Sequence, residues 1–144
     1  MQVKVKKLSE KAILPAYGSV WAAGADLCAL CEEEIKIRAG ETVLVHTGLA
    51  MEIPAGYAGL IYARSGLASK KGLAPANKVG VVDADYRGEL MVALHNHSAM
   101  EQTVGPGERI AQLVIAPFLK ADFQLADELS DTARGAGGFG STGK

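Results

Sequence analysis

Gly80-Val-Val-Asp-Ala-Asp-Tyr-Arg-Gly-Glu-Leu90 is the stretch on which the reading of this chain turns. An apolar run leads into two acids one residue apart, then an aromatic ring, a base and a glycine, and from Glu89 to Leu94 the sequence alternates again. That pattern predicts a β-hairpin with polar chemistry at its tip. In extended backbone Asp83 and Asp85 share one face and Tyr86 takes the other, so one acid is available for proton transfer while its neighbour positions it or faces solvent. A solvated turn uses the same residue types, and the hairpin alone does not choose between the two.

Outward from the hairpin the chain keeps the same rhythm. Gln2 to Lys6 alternates and is rich in lysine, which suits a charged edge strand. Ile35 to Arg38, Thr42 to Thr47, Leu49 to Ile53, Tyr57 to Tyr62, Val92 to Ser98 and Ile110 to Ala116 read as further strands, separated by Gly and Pro turns. Such punctuation every 8–12 residues or so predicts an all-β sandwich, jelly roll or barrel. Ile13 to Trp21, broken by Pro15 and Gly18, reads as an irregular connection. Ala63-Arg-Ser-Gly-Leu-Ala-Ser-Lys-Lys-Gly72 is the exception: a serine cap, helix-compatible residues and a closing glycine predict one short helix.

Composition narrows the class. With 144 residues, 49% of them hydrophobic, the chain is long enough for one domain with a core and short for two. A formal net charge of −1 provides no basic field for nucleic acid, so the expected partner is small. No apolar run approaches the roughly 18 residues of a membrane span, and Met1 to Lys7 lacks the apolar centre of a signal peptide; a cytoplasmic, non-membrane protein is expected. Cys28 and Cys31 form a lone Cys-x-x-Cys, and His46, His95 and His97 do not complete a metal motif, so two unlinked small core residues are expected.

Four more stretches carry chemistry. Ala22-Ala-Gly-Ala-Asp-Leu27 places small residues around Asp26, which leaves room for a bulky group or simply makes a tight turn. Arg64 and Ser65 at the helix start could hold an anion or serve as a cap beside an exposed cation. Gln112 is an amide within the apolar run Ile110 to Ala116 and needs a partner in the core or in a ligand, while Arg109 adds a second cation at the mouth of that strand. Finally Arg134-Gly-Ala-Gly-Gly-Phe-Gly-Ser-Thr-Gly-Lys144 has five glycines, an aromatic, two hydroxyls and cations, which predicts a mobile arm able to wrap a phosphate. The expected division is a β-barrel domain over 1–133 and a flexible arm over 134–144.

Taken together, Ala23-Gly-Ala-Asp-Leu27, Ala63-Arg-Ser-Gly-Leu67, Gly80 to Gly88, Gly107-Glu-Arg-Ile-Ala-Gln-Leu113 and Arg134 to Gly143 resemble, in order and spacing, the five motifs of the trimeric dUTPase family. The resemblance spans essentially the whole chain. It implies a jelly-roll-like β-barrel, a homotrimer with shared active sites, and Mg²⁺-dependent hydrolysis of dUTP to dUMP and pyrophosphate. Such a reaction limits uracil incorporation into DNA and supplies dUMP for thymidylate synthesis. By this resemblance Asp83 activates the water that attacks the α-phosphorus, and Tyr86 packs on the deoxyribose. Asn77, Val81, Val82 and Asp83 recognise uracil, Met91 lies in the substrate pocket, and Arg64, Ser65, Gly66 and Gln112 bind phosphates. Asp26 holds the metal through water. Phe139 stacks on the base, and Arg134, Gly140 and Ser141 belong to the closing arm. Two departures, Ala63 where the family often has Pro and Ala25 where it often has Tyr, change no group assigned to chemistry. A non-catalytic nucleotide-binding relative and a purely structural β trimer are the alternatives; the intact Asp83 and Tyr86 oppose the first, and the glycine-rich arm opposes both.

Overall fold

A computed structural model describes residues 1–138. Eleven strands and one helix follow in the order β1 (Lys4–Lys7), β2 (Ala16–Tyr17), β3 (Ala25–Cys28), β4 (Ile35–Ile37), β5 (Thr42–Glu52), β6 (Tyr57–Tyr62), α1 (Ser65–Lys71), β7 (Leu73–Pro75), β8 (Gly80–Val82), β9 (Glu89–Asn96), β10 (Gln102–Val104) and β11 (Arg109–Pro117). They form a four-stranded sheet β1-β5-β9-β7, a five-stranded sheet β2-β3-β11-β6-β8, and the pair β10-β4. All pairings are antiparallel. This is the all-β, jelly-roll-like barrel expected, with one short helix.

The alternation in the sequence does the sorting. β9 alternates half-buried and buried residues along its whole length, so Leu90, Val92 and Leu94 face inward. They join Leu27, Ile37, Val45, Ile61, Leu73, Val104 and Ile110 in one apolar cluster fed by all three sheets. β1 occupies a sheet edge, as its lysines suggested. The runs Thr42 to Thr47 and Leu49 to Ile53 prove to be one strand with a bulge, where the register with β9 breaks between His46 and Ala50. At the bulge Gly48 has φ +68°, and a Cβ there would lie 2.5 Å from Leu30 Cδ2, so only glycine fits.

Two expectations need correction. The hairpin does not join β8 to β9: β8 pairs with β6 in one sheet and β9 with β5 and β7 in the other. The paired arms are β7 and β9, extended by Ala76 N–H donating to Ala93 O at 2.7 Å, and residues between them swing across to the opposite sheet. Period-2 patterning specifies strands but not which strands pair, and that is why the sequence misassigned the partner. The serine cap is also absent. Arg64 is the N-cap, without a side-chain cap bond, and Ser65 is the first helical residue; the far end closes on Gly72 in the left-handed region at φ +67° as expected.

Cys28 and Cys31 are free and half-buried rather than deep in the core. Burial pushes both thiols up, and Asp26 adds to this at Cys28. After β11 no helix or strand follows up to Gly138, and the chain leaves the barrel at Phe118 with Phe123, Leu125 and Leu129 almost fully exposed. Among the described residues the last main-chain bond from β11 to its sheet is Phe118 N–H donating to Gly56 O at 3.1 Å, ahead of Arg134.

Candidate active site

β11 runs through the middle of its sheet, with β3 on one side and β6 on the other. Gln112 lies directly opposite Asp26 on β3 and Tyr62 on β6. Arg109, three residues earlier, would point to the other face of a regular strand. A register shift between Arg109 and Ala111 inserts one residue against β3 and returns Arg109 to the face of Asp26. The result is a cavity of about 230 Å³ lined by Gly18, Ala22, Gly24, Asp26, Arg64, Ser65, Gly66, Arg109 and Gln112.

Its polar groups are interlocked. Arg64 Nε donates to Asp26 Oδ1 at 2.7 Å and Arg109 Nη1 donates to Asp26 Oδ2 at 3.1 Å. Gln112 Nε2 donates to Ala63 O at 2.8 Å, which ties β11 to the residue before Arg64. The amide of Gln112 thus has its partner in the protein. Gly24 is required beside it, because a Cβ there would collide with the amide oxygen of Gln112 and lie 3.0 Å from its Cβ. Two guanidinium groups against one carboxylate leave the cavity cationic, and the adjoining cleft adds Lys70 and Lys71, the latter paired with Glu108 at 2.8 Å. Such a cavity suits a polyanion.

The residues expected to read the nucleoside lie elsewhere on the chain. Asp83 opens a turn closed by Tyr86 N–H donating to Asp83 O at 3.1 Å. Tyr86 Oη donates to Glu89 O at 3.0 Å and its ring lies across Gly88, where no Cβ can be accommodated without moving the ring. Asp83 and Asp85 do line one cavity, with Gly56, Phe118 and Lys120, and both are exposed. Val81 is exposed in β8, Val82 packs on the core, exposed Asn77 sits beside Gly80, and Met91 faces outward on β9 opposite His46. None of these residues lines the cationic cavity. Arg134 turns back on itself, Nε donating to Gly137 O at 2.8 Å. Phe139, Gly140 and Ser141 lie outside the described residues.

The sequence flagged Arg109 as a cation but not its bond to Asp26, 83 residues away, which only the β3–β11 ladder reveals. Among the described residues no group of three or more His, Cys, Asp or Glu could enclose a metal ion, and Asp26 is the one carboxylate lining the cationic cavity. A magnesium-sized ion that keeps its waters and takes most ligands from substrate phosphates is compatible with that sparse donor set.

The comparisons agree along the whole length. The family dUTPase matches residues 10–143. A deoxyuridine 5'-triphosphate nucleotidohydrolase of Nautilia profundicola is 51% identical over 144 residues, covering all of both chains. Another, from Desulfitobacterium hafniense, is 53% identical over 131 residues, 90% of this chain and 87% of that one. Among solved structures, the Staphylococcus bacteriophage 80alpha dUTPase with dUpNHpp superposes with a TM-score of 0.90 at 29% identity over 99% of each chain. Fold, cationic cavity and full-length kinship together place this chain in the dUTPase family.

Proposed function

We propose that the protein hydrolyses dUTP to dUMP and pyrophosphate. The carrying observation is the cavity where Arg64, Arg109, Ser65 and Gly66 converge on one face, in a chain alike end to end to deoxyuridine 5'-triphosphate nucleotidohydrolases. The triphosphate lies along Arg64, Ser65, Gly66 and Gln112, whose N–H groups and positive charge offset its anionic oxygens as charge redistributes in the transition state. The family implies a divalent cofactor, here Mg²⁺, held through water by Asp26; when bound it neutralises phosphate charge and orients the chain of phosphates.

Asp83 accepts the proton of the attacking water, and attack at the α-phosphorus expels pyrophosphate. The turn after β8 offers main-chain groups of Val81, Val82 and Asp83 to uracil, together with Asn77 and the surface at Met91. Its rigidity excludes thymine by contact with the 5-methyl and cytosine by a mismatched hydrogen-bonding edge. Tyr86 lies on the sugar and leaves no space for a 2′-hydroxyl. Because the uracil-reading turn and the cationic cavity are separate on one chain, the reading includes a homotrimer in which neighbouring chains complete each site. The arm over 134–144, with Arg134, Phe139, Gly140 and Ser141, closes over the nucleotide and excludes water. Among the described residues no helix is long and apolar enough to cross a membrane, and a cytoplasmic setting is part of this proposal.

The test is pyrophosphate release from dUTP, dTTP, dCTP and UTP with Mg²⁺. Release from dUTP alone is expected. Binding of dUTP without release would instead favour a regulatory nucleotide-binding protein.

A further inference from the structure

The turn that carries Asp83 and Tyr86 is gripped on its far side by the bulge in β5. Tyr86 folds back over Gly88 and its Oη donates to Glu89 O at 3.0 Å, so the main chain at Glu89 fixes where the ring lies. The Glu89 side chain turns the other way, to β5, where Oε2 accepts from His46 Nδ1 at 2.9 Å and Oε1 from Gly48 N–H at 2.8 Å. A carboxylate has no proton to give, so His46 carries one on Nδ1 at this contact. Between them Thr47, buried, donates from Oγ1 to Leu90 O at 2.6 Å. Three successive residues of the bulge thus hold two successive residues at the start of β9, where the register of the two strands breaks. The Glu89 side chain is only 21% exposed. Burial alone pushes its carboxyl up, but the hydrogen bonds from His46, Gly48 and Thr47 outweigh that and hold it below its ordinary 4.5.

We propose that Glu89 is a positioning residue for sugar discrimination: bracketed by His46 and Gly48, it holds the carbonyl that keeps Tyr86 across the place of a 2′-hydroxyl. This rests on the reading of Tyr86 as the wall beside the deoxyribose, and goes beyond it by assigning what holds the wall. The physical case is rigidity. The Tyr86 ring is 43% exposed and its hydroxyl has one hydrogen-bond partner in the protein, so little else restrains it. A wall rejects one added oxygen only if it cannot yield. A Glu89 released from the bulge moves with its carbonyl, the ring gives way, and UTP is admitted while dUTP loses less. A merely structural Glu89 does something else: its removal lowers the melting temperature and scales the activity on both nucleotides alike.

The experiment is steady-state pyrophosphate release from dUTP and from UTP with Mg²⁺, on the full-length protein, for wild type, Glu89→Ala, Glu89→Gln and His46→Ala. Melting temperature serves as the control for fold. In Glu89→Ala the ratio of kcat/KM for dUTP over UTP is expected to fall about tenfold, less than a full 1 Å displacement of the ring would cost. Glu89→Gln should stay within about twofold of wild type, because its amide oxygen still accepts from Gly48 N–H and its amide N–H donates to the other tautomer of His46. His46→Ala should lose about threefold, since Gly48 still holds the carboxylate. The His46 side chain is 57% exposed, so this variant keeps the test open where Glu89→Ala impairs folding. An unchanged ratio in Glu89→Ala, or in His46→Ala where Glu89→Ala does not fold, overturns the proposal, as does Glu89→Gln no more selective than Glu89→Ala. Wild type that rejects UTP beside an unaffected Glu89→Ala overturns this inference alone; wild type that cleaves neither nucleotide overturns the dUTP reading and the inference with it.

Discussion

Gly88→Ala isolates the proposed sugar platform from the rest of the protein. Gly88 has ordinary backbone, so alanine brings no dihedral strain, but its Cβ would lie 2.5 Å from Tyr86 Cζ and 2.9 Å from Cε2, and would also press on the hydroxyl. Ordinary carbon contacts begin near 3.5 Å, so the ring must move by about 1 Å. That shift breaks the hydrogen bond from Tyr86 Oη to Glu89 O, now 3.0 Å long, at a cost of about 1 kcal/mol, and strains the side chain by roughly another. Tyr86 is 43% exposed, so the fold tolerates the change and the melting temperature should fall by only a few degrees. Catalysis should suffer more, because a 1 Å misplacement of a positioning group can cost about 100-fold. The assay is steady-state pyrophosphate release from dUTP and UTP. Lower kcat/KM for dUTP together with weaker rejection of UTP is expected. Unchanged values for both nucleotides would refute the role of Tyr86 as a wall against the 2′-hydroxyl.

Asp83→Asn should retain nucleotide affinity and lose about 10²–10⁴-fold in turnover, measured as kcat against Kd; unchanged turnover would transfer the base to Asp85. Deleting 134–144 should leave a folded oligomer by light scattering with little activity, and full activity would remove the arm from the mechanism. Asn96 is fully buried and makes four hydrogen bonds, to Ile37 O, Met100 O, Ser98 N–H and Ser98 Oγ; Asn96→Ala should therefore destabilise the fold by about 2–4 kcal/mol in denaturant titration. Burial alone pushes the Glu108 carboxyl up, but hydrogen bonds from Lys71 and Gly105 N–H outweigh it and hold the group below its ordinary 4.5. A lowered carboxylate contributes stability above its unfolded pKa and loses it as pH falls through the folded value. Melting curves of Glu108→Gln should therefore decline less steeply than wild type below pH 4.5, and parallel curves would contradict the pairing.

The β class, the edge position of β1 and the glycine closing α1 were all legible in residue order, because alternation and turn chemistry are local properties. The serine cap was not, since helix starts differ by one residue and Ser65 falls just inside.

What the sequence alone determined is the β class, most of the longer strands and the groups available for chemistry, while the short strands β2, β3, β7 and β10 went unread. Tertiary structure decided the rest. It assigned β8 and β9 to opposite sheets, placed a bulge at Arg109, and set that arginine and Arg64 on the two oxygens of Asp26. It also kept the turn from Asp83 to Tyr86 apart from the cationic cavity within one chain. The physical reason is that strand pairing and register depend on which faces bury together across long sequence separations, and one inserted residue reverses the face of a side chain without altering the local pattern that the sequence displays.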